Sequence, residues 1–343
     1  MSSDTPTSPE AVIRQLFMGL RASQVAYVAV KLALADQLAN RPLTSTELAA
    51  AAGTDRASLR RVLRALVALG VLVEADTDLF ALTSVGQLLR TDHPRSLRAV
   101  VLFMTGDVRW RCWGDLLESV RSGEPATQRV LGMSNFDFVA ANPEFAEIHA
   151  AAMAAASVLF DSAICQAYDF SRFRRLVDVG GGSGQFIADI LRANRELHGI
   201  LFDLPEIVVH AHPILKAAGV ADRCRIEAGS FFESVPGGGD GYVLKQIIHD
   251  WDDIRAVTIL EACRKAMPAD GRVLLVERLL PDHAAIGRET DVYFVDLEML
   301  VMTPGGRERT DAEFRELFAR AGLVLQQVVS TPSPFKILEG RAV

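Results

Sequence analysis

The sequence predicts an α/β fold in which a doubly wound parallel sheet follows a smaller α-helical winged-helix domain. Three observations carry that expectation. From about Ser171 onward, short apolar runs alternate with helical stretches, the pattern of βα units on a parallel sheet. One of those runs enters the glycine-rich turn Gly180-Gly181-Gly182-Ser183-Gly184. Before about Arg95, the order is helix, turn, helix and hairpin. A chain of 343 residues has room for about two domains.

The elements follow in order. Residues 46–52 read as a helix, Gly53-Thr54-Asp55 as a turn, and 56–69 as a second helix. In that helix Leu59, Val62, Leu63, Leu66 and Leu69 recur at the spacing of one buried face, and Gly70 is its stop. Residues 71–74 and 79–82 read as a hairpin around Ala75-Asp76-Thr77-Asp78. Residues 96–170 read as a helical connector between a front domain (1–95) and a C-terminal Rossmann-like domain (171–343). Within the latter, 176–179, 199–202, 225–228, 242–245 and 273–276 read as strands.

Composition narrows the class. The chain is 50% hydrophobic and 23% charged, which suits a globular enzyme and excludes disorder. Its formal net charge of -7 does not suit a dedicated nucleic-acid binder. Cys112, Cys165, Cys224 and Cys263 form no CxxC pair, so neither a zinc site nor a disulfide framework is expected, and a reducing cytoplasm fits. The opening Met1-Ser2-Ser3-Asp4-Thr5-Pro6 is polar and shows no secretory signal. The stretch 25–38 is interrupted by Lys31 and Asp36, and no segment is expected to span a membrane.

The glycine turn lies after Leu176-Val177-Asp178-Val179 and before a helix with Phe186, Ile187, Ile190 and Leu191 on one face. Glycine there lets the backbone approach a ligand outside the carboxyl end of a strand. The dinucleotide fingerprint asks for a third glycine where Gln185 stands, which weakens a pyrophosphate reading. Asp203 closes the next strand in Phe202-Asp203-Leu204-Pro205, where a carboxylate accepts ribose hydroxyls. NAD and S-adenosylmethionine share that feature, so Asp203 alone does not choose between them.

Together with Lys245-Gln246-Ile247-Ile248-His249-Asp250-Trp251, these motifs resemble the S-adenosylmethionine-dependent O-methyltransferases of the caffeate and hydroxyindole type. Bacterial members act on phenols and other natural-product hydroxyls. The resemblance covers most of the chain and implies that the front domain dimerises. It implies that Gly180 and Gly182 face the cofactor, that Asp203 beside Leu204 binds its ribose, and that Lys245 lies near its adenosyl and carboxylate region. Ser230 and Phe231 fall where the family often has Gly-Asp-Met/Phe-Phe; Ser230 replaces a carboxylate with an uncharged hydroxyl, which implies a weaker hold on the cofactor. His249 stands in the general-base position, and Glu277 and Glu308 match the acids that flank it. Met299 and Thr303 stand at substrate-lining positions. Trp110, His149 and Met153 are further acceptor-pocket candidates, since aromatics and methionines suit a flat apolar molecule. His149 equally reads as a satisfied helix histidine. No metal is implied.

The chemistry agrees with these residue types. A phenol with a pKa near ~10 needs deprotonation, and a histidine with a pKa near ~6.5 takes that proton at neutral pH. Glu277 or Glu308 would orient its imidazole. Glu308 otherwise reads as a loop ion pair with Arg307 or Arg309, and Asp250 as a structural acid near a helix start. The expectation is methyl transfer to a hydroxyl of an aromatic or polyketide-like small molecule, by a cytoplasmic homodimer that releases S-adenosylhomocysteine and binds neither nucleic acid nor membrane. Three alternatives stand. The first is N- or C-methylation or another reaction on the same fold; an amine acceptor, with a free lone pair, would need the base less. An NAD-dependent oxidoreductase would lack a glycine. A winged-helix regulator would set Arg56, Arg60, Arg61 and Arg64 against DNA phosphates, although basic and acidic side chains nearly balance over residues 1–100.

Overall fold

The computed structural model describes residues 8–287 and 290–343, so the polar N-terminal hexapeptide lies outside the described residues. Contacts divide the chain into two units. One comprises residues up to Arg111 with Asn142–Ala156, the other Cys112–Ala141 with Ser157–Val343.

The first unit opens with α1 (Pro9–Lys31), started by Ser8, whose side chain accepts from the Ala11 amide, and by Pro9 in the first turn. Its residues Ile13, Leu16, Phe17 and Leu20 are exposed. A capping box of Thr44 and Glu47 starts α2 (Ser45–Ala52), and Gly53 at φ +62 stops it. Asp55 caps α3 (Arg56–Ala68), which buries Leu59, Leu63 and Leu66. Leu69, expected on that face, falls beyond the helix end and is exposed. Strands β1 (Leu43–Thr44), β2 (Leu72–Asp76) and β3 (Leu79–Leu82) form an antiparallel sheet in the order β1-β3-β2. Asp78 in the hairpin turn accepts from Arg56 at 3.0 Å and Arg60 at 2.8 Å. Two of the four arginines considered for phosphate contact are thereby paired within the unit.

Helix α4 (Pro143–Ala167) contributes to both units. Contrary to the expectation from sequence, its length and apolarity reach those of a membrane-crossing helix. In the second unit it acts as a helix of the fold: Ile164 lies in the core and buried Asp161 is ion-paired to Lys245.

Seven strands build the sheet of the second unit: β4 (Arg175–Val179), β5 (His198–Asp203), β6 (Cys224–Ala228), β7 (Gly241–Lys245), β8 (Arg272–Glu277), β9 (Leu323–Ser330) and β10 (Lys336–Ala342). Their order is β6-β5-β4-β7-β8-β10-β9. The first five are mutually parallel and coincide with the five predicted runs. The last two were not predicted; β10 inserts antiparallel between β8 and β9. Buried Glu339 obscures β10 in the sequence. Tyr168, Arg272 and Gln327 donate to it at 2.8, 3.2 and 2.7 Å, which lets a carboxylate sit inside a sheet.

The helices of this unit include α5 (Gln185–Ala193), α6 (Asp253–Ala266), α7 (Thr290–Met302) and α8 (Asp311–Arg320). Phe186, Ile187, Ile190 and Leu191 of α5 pack with Leu176, Val243 and Leu274 on one sheet face. Ile259, Leu260, Phe314 and Phe318 of α6 and α8 pack with Val177, Tyr242 and Val273 on the other. Burial on both faces is why the parallel strands read as continuous apolar runs. Strand β4 has β5 on one side and β7 on the other, so the chain reverses winding there, and the carboxyl ends of these strands form the crevice used by ligands in such sheets.

Phe318 packs so closely over Gly340 that a Cβ there would lie 2.1 Å from its ring. Phe318→Ala is expected to cost about 3–5 kcal/mol. Urea unfolding should show a lower midpoint at an unchanged slope.

Candidate active site

The turn after β4 passes through Gly180, Gly182 and Gly184 at φ +71, +59 and +81, a region open to glycine at little cost. A Cβ on Gly180 would lie 2.5 Å from Ile247, and one on Gly181 would lie 2.6 Å from the Asp178 carboxylate. A Cβ on Gly182 would meet nothing within 4 Å, so the backbone there is open to a ligand. Asp203 ends β5; its carboxylate accepts from Gly182 N at 2.8 Å and Leu204 N at 2.7 Å. Burial outweighs both bonds and raises its pKa above the usual carboxylate range. Leu204 is exposed. Beneath the turn, burial pushes the Asp178 carboxyl up to about 7, and its Oδ2 has no hydrogen-bond partner among the described residues. In the sequence Asp178 was only one residue of a strand.

The carboxyl ends of β6 and β7 bring the other expected cofactor residues to the same edge. Ser230 accepts from Phe232 N at 3.3 Å, and Phe231 sits edge-on to Trp251. Phe136 stacks on Trp251 at 5.3 Å, and with Phe232, Arg255 and Pro304 they line a cavity of about 500 Å³. Lys245 Nζ donates to Asp161 at 2.7 Å and to Ser157, and lies 4.6 Å from the centre of the Phe186 ring. Its charge is thus balanced inside the fold. Ser157 and Asp161 were missed because they lie on α4, far away in sequence and in no local motif.

His249 rides on a single turn, Ile248–Asp250, just after β7. Gln246 enters that turn at φ +55, an uncommon conformation for a residue with a side chain. Glu277 ends β8 and spends Oε1 on Ile247 N and Ile248 N at 3.1 and 2.8 Å. Its Oε2 is 3.9 Å from His249 Nδ1. Glu308 Oε1 lies 2.8 Å from the same nitrogen. Either acid was eligible to orient the imidazole; the hydrogen bond belongs to Glu308. Asp250, read as an acid near a helix start, precedes the Asp252 cap of that helix and also faces His249 Nε2 at 3.7 Å.

All three members of this group are buried, and that corrects the expectation of an ordinary histidine. Burial alone lowers the imidazole pKa, but the charges of Glu277, Asp250 and Glu308 overcome it and push His249 up to about 10. Burial likewise pushes Glu277 up to about 7. One ligand atom from each of the three lies within 4.8 Å of the others, a spacing compatible with a divalent cation that the sequence did not suggest.

Among the expected acceptor contacts, Met299 and Thr303 are buried at the end of α7, and Thr303 Oγ1 donates to Met299 O at 2.8 Å. Trp110, His149 and Met153 belong to the other unit. Trp110 and Met153 are exposed there, while His149 lies 5.0 Å from the Phe103 ring. Burial and the Arg109 charge lower His149 to about 4, leaving it neutral at neutral pH.

Family models match this chain twice: an O-methyltransferase dimerisation domain over residues 14–92 and an O-methyltransferase domain over residues 113–324. A phenazine O-methyltransferase of Lysobacter antibioticus is 40% identical, with 97% of this chain and 96% of the relative covered. An 8-amino-8-demethylriboflavin N,N-dimethyltransferase of Streptomyces davaonensis is 36% identical, with 95% and 94% covered. The crystal structure of LaPhzM aligns with a TM-score of 0.93 at 38% identity, covering 98% of this chain and 100% of that one. The O-methyltransferase NcsB1 of neocarzinostatin biosynthesis, solved with S-adenosylmethionine and 2-hydroxy-5-methyl naphthoic acid, aligns at 0.79 and 33%, covering 94% and 96%. On these matches the chain belongs to the O-methyltransferase family and is an S-adenosylmethionine-dependent methyltransferase with the family's dimerisation domain at its front.

Proposed function

We propose that the protein methylates a hydroxyl of an aromatic or polyketide-like small molecule, with His249 as general base. The observation that carries this reading is the buried 2.8 Å contact between His249 Nδ1 and Glu308, on a loop whose Ile247 packs against the glycine turn. Gly180, Gly182, Asp203 and Leu204, with Ser230, Phe231 and Lys245, are the residues that would hold the cofactor. The open backbone at Gly182 and the orphaned oxygen of Asp178 fit a ligand that carries positive charge. When bound, S-adenosylmethionine supplies a methyl group already activated by its positive sulfur.

The chain's own task is then to make and aim a nucleophile. Donation from Nδ1–H to Glu308 fixes the imidazole tautomer and leaves the Nε2 lone pair for the acceptor proton. The surrounding carboxylates hold the imidazole protonated at neutral pH, so the base form is reached by releasing a proton from a group of coupled sites. The acceptor hydroxyl proton passes to Nε2, and Glu308 and Glu277 stabilise the resulting imidazolium. Holding the oxygen in line contributes the rest of the rate.

Residues 1–95 serve in this reading for dimerisation, 96–170 for acceptor contact and 171–343 for cofactor binding and chemistry. Met299, Thr303, Trp110, His149 and Met153 are the proposed acceptor contacts, and the aromatic ligand bound to NcsB1 supports a flat acceptor. The riboflavin-type relative favours one second reading, transfer to an amine, for which the base matters less.

His249→Ala should lower turnover of phenolic acceptors about 10²–10⁴-fold while S-adenosylhomocysteine affinity, measured by calorimetry, stays near wild type. Wild-type turnover of phenols by this variant would sink the base, and selective retention on amines would favour the second reading. Turnover should rise with pH as the Nε2 proton is lost. Glu277→Gln keeps an oxygen for the two amides but removes a charge that raises His249, so the rising limb should move about one unit or more to lower pH. An unmoved limb would show that Glu277 does not tune the base. The exposed apolar face of α1 is the proposed dimer surface, so Leu16→Glu should shift the light-scattering mass from dimer toward monomer. An unchanged dimer mass would place the interface elsewhere.

A further inference from the structure

Three consecutive residues return to the His249 turn. Arg307 N donates to His249 O at 2.8 Å. Glu308 reaches the imidazole. Arg309 is wholly buried and donates from Nη1 to Ile248 O at 3.1 Å and from Nη2 to Trp251 O at 2.7 Å. Its Nε and Nη2 also hold Asp253 Oδ1 at 3.0 and 2.8 Å. The sequence offered Arg307 or Arg309 as an alternative ion-pair partner of Glu308; Arg307 pairs with Asp253 and Glu313, and Arg309 with Asp253. The Arg309 backbone is tied as well, since Leu280 N donates to its carbonyl at 2.9 Å just beyond the strand that carries Glu277.

We infer that Arg309 is a positioning residue for the reaction. It holds the carbonyls on either side of His249 while being covalently joined to Glu308, so the contact between base and orienter is set before any acceptor arrives. Two carbonyls and a carboxylate at different bearings need a rigid fork with five donors. A lysine would keep the charge opposite Asp253 without spanning all three. Asp253 makes the buried guanidinium tolerable, because a lone buried cation would be strongly destabilising. This inference rests on His249 being the base.

The test reads the hydrogen bond itself and needs no acceptor. With labelled histidine, the His249 Nδ1–H signal is identified as the imidazole resonance that His249→Ala removes. In Arg309→Lys that proton should exchange with water at least about tenfold faster, reflecting a loosened turn. The other six of the seven histidines should keep their shifts. Calorimetric affinity for S-adenosylhomocysteine should stay within about twofold, as expected for a separate site. An unchanged His249 signal would overturn the inference. So would loss of every histidine signal together with cofactor affinity, which would mark a role in general folding. If Arg309→Lys does not fold, Asp253→Asn, at a partly exposed side chain, should produce the same selective loosening, and a silent result there also overturns the inference. Wild-type turnover by His249→Ala would instead fail the base while leaving the hydrogen-bond measurement intact, so the two failures are distinguishable.

Discussion

One imidazole and two carboxylates, all withdrawn from water, are the constraint around which the carboxyl edge of this sheet is arranged. Such groups are costly to bury, and here Glu277 Oε2 and Glu308 Oε2 carry no hydrogen bond among the described residues. Glu277 spends one oxygen on two backbone amides, Glu308 has its own amide held by Asp296 at 2.9 Å, and Arg307 takes the His249 carbonyl. Each of these bonds also fixes backbone. These contacts set the shape of the turn, while the two unbonded carboxylate oxygens remain beside the imidazole. The excess of negative charge is what lifts the imidazole so far above its ordinary value.

The two halves of the site share one short piece of chain. Strand β7 ends in Lys245, whose ammonium is neutralised by Asp161 beside the Phe186 ring, one residue into the helix that follows the glycine turn. Four residues later comes His249. Gln246 bends the chain between them, and Ile247 fills the space against Gly180. Ile247 is thus the packing contact between the His249 loop and the glycine turn.

Much of this was legible from residue order. Strands β4 to β8 are buried on both faces and so appear as unbroken apolar runs, and a glycine turn has few substitutes. Strands β9 and β10 were not legible. Their burial alternates unevenly, and Glu339 places a carboxylate in the sheet interior that the distant Tyr168, Arg172, Arg272 and Gln327 make acceptable. Leu69 misled for a simpler reason: periodicity continues past a helix end, while burial does not.

By itself the sequence determined the doubly wound plan and singled out His249, Glu277 and Glu308 as candidates, because periodicity, glycine turns and motifs are local properties of the chain. Tertiary structure alone decided that Glu308 rather than Glu277 bonds the imidazole, that Asp161 balances Lys245, and that Arg309 grips the turn through the Ile248 and Trp251 carbonyls while Asp253 balances its charge. It also set His249 among the carboxylates that raise its pKa. These depend on distances between residues far apart in the chain and on removal from water, and a charge acquires its strength only once both are set.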